Sequence, residues 1–187
     1  MSHPALLCDA TDSVLVVIDI QERLARAMPE KPLQRLVERT AMLIQAANLL
    51  DVPVLRTEQY PKGLGPTLPD IEQQLHNDHK MEKTCFSCSD ASGFAQTLQE
   101  TRRQQVVLTG MESHVCVLQT ALGLQASGHR VFVVGDAVCS RYKANHKNAL
   151  QRMAHSGVAI TNSESVLFEW LRDSRHEQFK TISAFLR

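Results

Sequence analysis

Short β-branched apolar runs alternate with helical segments along this chain, and that alternation limits the fold more than any other feature. Val14-Leu-Val-Val-Ile-Asp19 is a strand-length run closed by a carboxylate. Such a run, apolar at every position, reads as a strand buried on both faces. Residues 52–56, 105–110, 130–136 and 158–160 repeat the signal, and Pro53 suits a strand's start. Between the runs, residues 33–50, 93–103, 113–127 and 145–156 carry helical periodicity or end on a glycine. Residues 163–187 read as helix with one break. No hairpin turn joins any two strands. The pattern predicts βαβ units and one open, doubly wound, mostly parallel six-stranded sheet with helices on both faces, a Rossmann-like three-layer α/β domain over residues 1–187.

In such a sheet, ligands bind beyond the carboxyl ends of the strands. Asp19 closes the first run, Lys83 sits beyond the second, and Cys116 follows the run ending at Gly110. Taken singly, each residue has an ordinary role: Asp19 as a helix cap, Lys83 as a surface charge, Cys116 as a buried thiol. Taken together they have a chemistry. A thiol needs a proton acceptor to attack a carbonyl, and the leaving amine needs a proton donor. A carboxylate beside the thiol serves both steps. A lysine beside both is expected to keep the carboxylate ionised and to favour the thiolate. Cys116 in the first turns of a helix is expected to gain from the helix dipole as well. Backbone N–H groups of the preceding turn are candidate oxyanion donors.

Composition removes several classes. Lysine plus arginine equals aspartate plus glutamate at 20 each, so there is no electrostatic footprint for nucleic acid or an anionic membrane. No apolar run is long enough to span a bilayer. The amino terminus lacks the pattern of a signal peptide. Five cysteines, at 8, 85, 88, 116 and 139, make a poor disulfide framework. A reducing, cytoplasmic location is expected.

Other features are weaker. Cys85-Phe-Ser-Cys88 is a C-x-x-C pair without the glycine or proline usual in active dithiols. The expectation is that both line the wall of the site, with Phe86 toward substrate. His76 and His79, around Asn77 and Asp78, read as a polar turn. Residues 58–69 hold two glycines and three prolines and read as a long loop. Tyr60 and this loop are candidates to cover the pocket, and His114 is a candidate contact beside the oxyanion turn.

Three motifs, Val-Ile-Asp19-Ile-Gln21, Glu82-Lys83-Thr-Cys-Phe-Ser87 and Thr-Gly-Met-Glu-Ser-His-Val-Cys116-Val, resemble the isochorismatase-like cysteine hydrolases. Gly-Asp136-Ala-Val-Cys-Ser140 extends the resemblance, which runs from about residue 13 to 165. Residues 58–66 are most similar to the isochorismatase domain-containing branch. The resemblance implies an Asp–Lys–Cys triad at Asp19, Lys83 and Cys116. It implies a cis peptide at Met111–Glu112 and an oxyanion hole from the N–H groups of Glu112 and Cys116. It also implies that copies associate, with Phe168, Trp170, Leu171, Phe179, Ile182, Phe185 and Leu186 packed on a partner or on the chain's own sheet. Metal-binding nicotinamidases carry an Asp-x-His-x-His-type cluster after the second strand. This chain reads Thr57-Glu-Gln-Tyr-Pro there, so no metal or other cofactor is expected. Isochorismatases that act on a vinyl ether lack the nucleophilic cysteine, which is present here. The expected activity is therefore hydrolysis of a small amide-like C–N substrate through a thioester. The rival is a binding or redox-sensing protein on the same scaffold.

Overall fold

The structure is a computed structural model that describes residues 7–76 and 78–186. The amino-terminal residues read against a signal peptide lie mostly outside this range, as does Asn77 of the expected polar turn. One parallel six-stranded sheet organises the described residues, in the order β3-β2-β1-β4-β5-β6. The strands are β1 (Ser13–Ile18), β2 (Val54–Gln59), β3 (His79–Lys83), β4 (Gln105–Met111), β5 (Arg130–Cys139) and β6 (Ala159–Thr161). Every pairing is parallel.

Strand alternation divides the core in two. Leu15 and Val17 join one apolar cluster, while Val14, Val16 and Ile18 join the other, because successive side chains leave opposite faces. The first cluster is covered by α2 (Glu30–Leu49) and α8 (Ser163–Leu171). Leu36, Thr40, Leu43 and Ala47 of α2 are buried at spacings of three and four, one helical stripe. The second cluster is covered by α5 (Phe94–Glu100), α6 (Leu118–Ala126) and α7 (Lys143–His155). Four short helices, α1 (Glu22–Ala25), α3 (Pro61–Leu64), α4 (Pro69–Glu72) and α9 (Phe179–Ala184), complete the described α-helices. No helix among them is long and apolar enough to cross a membrane.

Two differences from the sequence reading have physical causes. β3 is an edge strand with mostly exposed residues, so its polar sequence carried no apolar signal. His79 opens that strand; His76 and His79 are both exposed. Residues 58–69 are not one loop: β2 continues to Gln59, and each proline at 61 and 69 starts a single helical turn, where a missing N–H costs nothing. The C-terminal apolar residues largely pack inward. Trp170, Leu171 and Ile182 are core residues, Phe179, Phe185 and Leu186 lie against them, and Phe168 is 41% exposed.

The sheet's winding reverses between β1 and β4, its two central strands. Asp19 leaves the end of β1, and the turn to Cys116 leaves the end of β4. The close approach of those two strands depends on Gly110. Its φ is +121°, and a Cβ there would lie 2.0 Å from the Ile18 carbonyl oxygen.

Candidate active site

Asp19 follows β1 with φ of +50°, a left-handed conformation that aspartate tolerates better than most residues. This bend ends the strand and turns the carboxylate under the sheet's edge, where it is fully buried. Its Oδ2 accepts from Lys83 Nζ at 2.7 Å, and its Oδ1 accepts from Thr57 Oγ1 at 2.7 Å. Lys83 is the last residue of β3, one strand beyond β2, and its long side chain reaches across to Asp19. Both side chains are 0% exposed. Burial pushes the Lys83 ammonium down most strongly of any single cause, but the Asp19 carboxylate and the Cys116 and Cys88 sulfurs together outweigh it and raise its pKa. The lysine therefore stays charged.

Lys83 Nζ also donates to Gln59 Oε1 at 2.7 Å and, at 3.2 Å each, to the Cys85 and Phe86 carbonyl oxygens. Gln59 is fixed in turn. Its Nε2 donates to the Thr84 carbonyl, its backbone N–H donates to Gln21 Oε1, and its carbonyl accepts from Gln21 Nε2. A buried ammonium is tolerable only with such partners. Thr57 and Gln59 stand in the stretch that the sequence marks only by its lack of metal ligands, and Gln21 in the first motif. Their role was missed because a hydrogen bond to a lysine on another strand has no sequence spacing. No group of three His, Cys, Asp or Glu side chains among the described residues is arranged to hold a metal.

Cys116 is not in an ordinary α-turn. Residues Ser113–Val117 form a wide π-turn that leads into α6, and Cys116 is 5% exposed within it. The Met111–Glu112 peptide that enters this turn is cis. The Glu112 carbonyl accepts from the N–H groups of Val115 and Val117, and its carboxylate accepts from the backbone N–H and Nε of Arg141. Burial pushes the Cys116 thiol well above its ordinary value. The charge of the Asp19 carboxylate pushes it further, while Lys83 opposes both more weakly. Burial and the Asp19 carboxylate thus act against the thiolate, and Lys83 acts for it.

The remaining candidates fall around this cluster. Cys88 is buried with Sγ 3.8 Å from Thr57 Oγ1, and burial followed by Asp19 raises its thiol to about 11. Cys85 is half-buried, and all five cysteines are free thiols. Tyr60 donates its backbone N–H to the Lys83 carbonyl and is 54% exposed. It helps to line a cleft of about 440 Å³ with Lys62, Glu82, Lys83, Cys85 and Asp90. Phe86 is equally exposed but does not line that cleft. His114 shares hydrogen bonds with Ser140 Oγ at 3.0 Å and Asn145 Nδ2 at 3.2 Å, so both ring nitrogens are engaged.

Known proteins share this arrangement of strands. A solved structure described as MAR1 ribonuclease from Caenorhabditis elegans superposes with a TM-score of 0.90 at 36% identity, covering 96% of this chain and 92% of that one. Mouse isochorismatase domain-containing protein 2A is 39% identical over 176 residues, which are 94% of this chain and 82% of the relative. Isochorismatase domain-containing protein 2 from Danio rerio is 37% identical over 174 residues, 93% of this chain and 86% of its own length. With the isochorismatase domain matched over residues 13–165, from the first strand to the start of α8, the chain belongs to the isochorismatase family of hydrolases.

Proposed function

We propose that this protein is a cysteine-dependent hydrolase of a small amide-like substrate, cleaving a C–N bond through a thioester on Cys116. The observation that carries this reading is the buried Lys83–Asp19 ion pair at 2.7 Å, set against the Cys116 thiol. A charged pair held out of water is costly, and a neighbouring nucleophile gives it a use.

Asp19 takes the Cys116 proton as sulfur bonds to the substrate carbonyl carbon. The oxyanion is received by the N–H groups of Glu112 and Cys116. The C–N bond then breaks, and Asp19 delivers its proton to the departing amine. Water attacks the thioester, passing a proton to Asp19; the C–S bond breaks, and that proton returns to the thiol. Lys83 keeps Asp19 ionised between steps and fixes its orientation. No step requires a metal or cofactor. Tyr60, Phe86 and His114 are the proposed contacts to substrate.

Copies of the chain are proposed to associate, since the rings of Tyr60 and Phe86 are half-exposed and a second copy is a ready cover for them. Five free thiols suit a reducing, cytoplasmic setting. The chain's zero net charge argues for small substrates rather than nucleic acid.

The test is ammonia release from a panel of small primary amides and ureides, with RNA as a control substrate. Wild type is expected to release ammonia and Cys116→Ala to release none, with the fold retained by circular dichroism. Intact-mass spectra of an acid-quenched reaction are expected to show an acyl adduct on Cys116. Equal turnover by Cys116→Ala sinks the nucleophile assignment. No turnover of any amide by either protein moves the balance to a non-catalytic binding role.

A further inference from the structure

A second cavity lies beside the catalytic turn, and no step above uses it. It measures about 520 Å³ and is lined by Pro29, Pro32 and Arg35, by Val138, Cys139 and Ser140, and by Lys143 and His146. These come from the amino-terminal end of α2, the carboxyl end of β5 and the amino-terminal end of α7.

Its charge is one-sided. Two full cations, Arg35 and Lys143, face it, and none of the lining residues is acidic. Neither cation is in an ion pair among the described residues. The nearby carboxylate, Glu112, acts on Cys139 but does not line the cavity and is held by Arg141. Glu30 stands in the first turn of α2 but does not line the cavity. Two long helices also start here, α2 with 20 residues and α7 with 13, and neither has a side-chain cap on its first turn. The unpaired N–H groups at such ends favour an anion. Val138, Cys139 and the two prolines give the same cavity an apolar wall.

The polar wall residues reach through to the nucleophile's turn. His146 Nδ1 shares a hydrogen bond with Ser113 Oγ at 2.9 Å, and Ser140 Oγ shares one with His114 Nδ1 at 3.0 Å. Burial, followed by the Arg35 charge, lowers the His146 pKa, so this ring is neutral and the positive charge belongs to Arg35 and Lys143.

We propose that this cavity is a binding site for a small organic carboxylate with an apolar body, separate from the thiol site. Arg35 and Lys143 pair with the carboxylate, and the Val138–Cys139 wall takes the apolar part. The inference is independent of the thioester reading, because binding is measured without turnover.

Isothermal titration calorimetry on the full chain tests it, with benzoate and hexanoate as probes and benzyl alcohol as the uncharged control. At least one acid is expected to bind at millimolar concentration and the alcohol not to bind. Arg35→Ala with Lys143→Ala is expected to weaken acid binding about tenfold or more, and Arg35→Lys with Lys143→Arg to retain it. Both positions are exposed, so these variants are expected to fold. Cys116→Ala is expected to bind the acid unchanged. Binding by neither acid, equal binding of the alcohol, no loss in the double alanine variant, or loss in Cys116→Ala would each overturn the proposal.

Discussion

Asp19 is the residue on which the candidate site turns. It is fully buried, holds a left-handed backbone conformation, is hydrogen-bonded to Thr57 and Lys83, and stands close enough to Cys116 to act on its thiol. Asp19→Asn keeps the shape but accepts no proton, so turnover is expected to fall by about 10²–10⁴-fold. It also strands the Lys83 ammonium, and chemical denaturation is expected to show a loss of about 3–5 kcal/mol. Cys116→Ala is expected to lose turnover without that loss. The state of the thiol is a separate prediction. Because burial and Asp19 raise its pKa, the rate of Cys116 alkylation by iodoacetamide is expected to climb with pH to about 9 and beyond. A plateau near neutrality would reveal a preformed thiolate.

At the scale of elements, the join between β1 and β4 and the tether on β3 decide whether these residues meet. Gly110→Ala sets a Cβ against the Ile18 carbonyl oxygen and forces an L side chain to φ of +121°. The expected outcome is a loss of at least about 1–3 kcal/mol in thermal or chemical unfolding, with lost activity where the variant folds, since Asp19 follows Ile18 directly. β3 is tied to the sheet partly through Glu58 of β2, which pairs with Lys80 of β3 at 2.8 Å and accepts from Thr67. Burial alone would raise the Glu58 carboxyl, but the Lys80 and Thr67 contacts outweigh it and hold its pKa below the ordinary value. A depressed folded pKa means that the unfolded chain takes up the proton first. The stability from Glu58 is thus present above about pH 4.3 and is lost as pH falls through the lower folded value. Denaturation midpoints measured across that range are expected to fall, and Glu58→Gln to flatten part of the slope.

At the scale of the whole molecule, two apolar layers clamp the sheet from opposite sides, and the site sits where its winding reverses. Leu43, fully buried in the α2 layer, tests that clamp: Leu43→Ala is expected to cost about 2–5 kcal/mol by denaturation, without moving the site's residues. The strands in this clamp were legible in advance, because burial on both faces writes continuous apolar runs such as residues 14–18 and 131–134. β3 was not, because an edge strand facing water has no such requirement. The helices over the sheet were legible from their glycine stops and apolar stripes, with boundaries moved by a few residues.

What the sequence determined by itself was the parallel α/β architecture and the membership of Asp19, Lys83 and Cys116 in one neighbourhood, since strand ends gather along one edge of such a sheet. Only the tertiary structure decided how those residues are held. Thr57, Gln59 and Gln21 act across strands, where contact depends on register and not on spacing. The protonation of Cys116 likewise depends on its depth below the surface and its distance from a carboxylate 97 positions away in the chain. The second cavity is of the same kind. Arg35 and Lys143 lie 108 positions apart, and only the packing of α2 against β5 brings two positive charges and two helix ends to one wall.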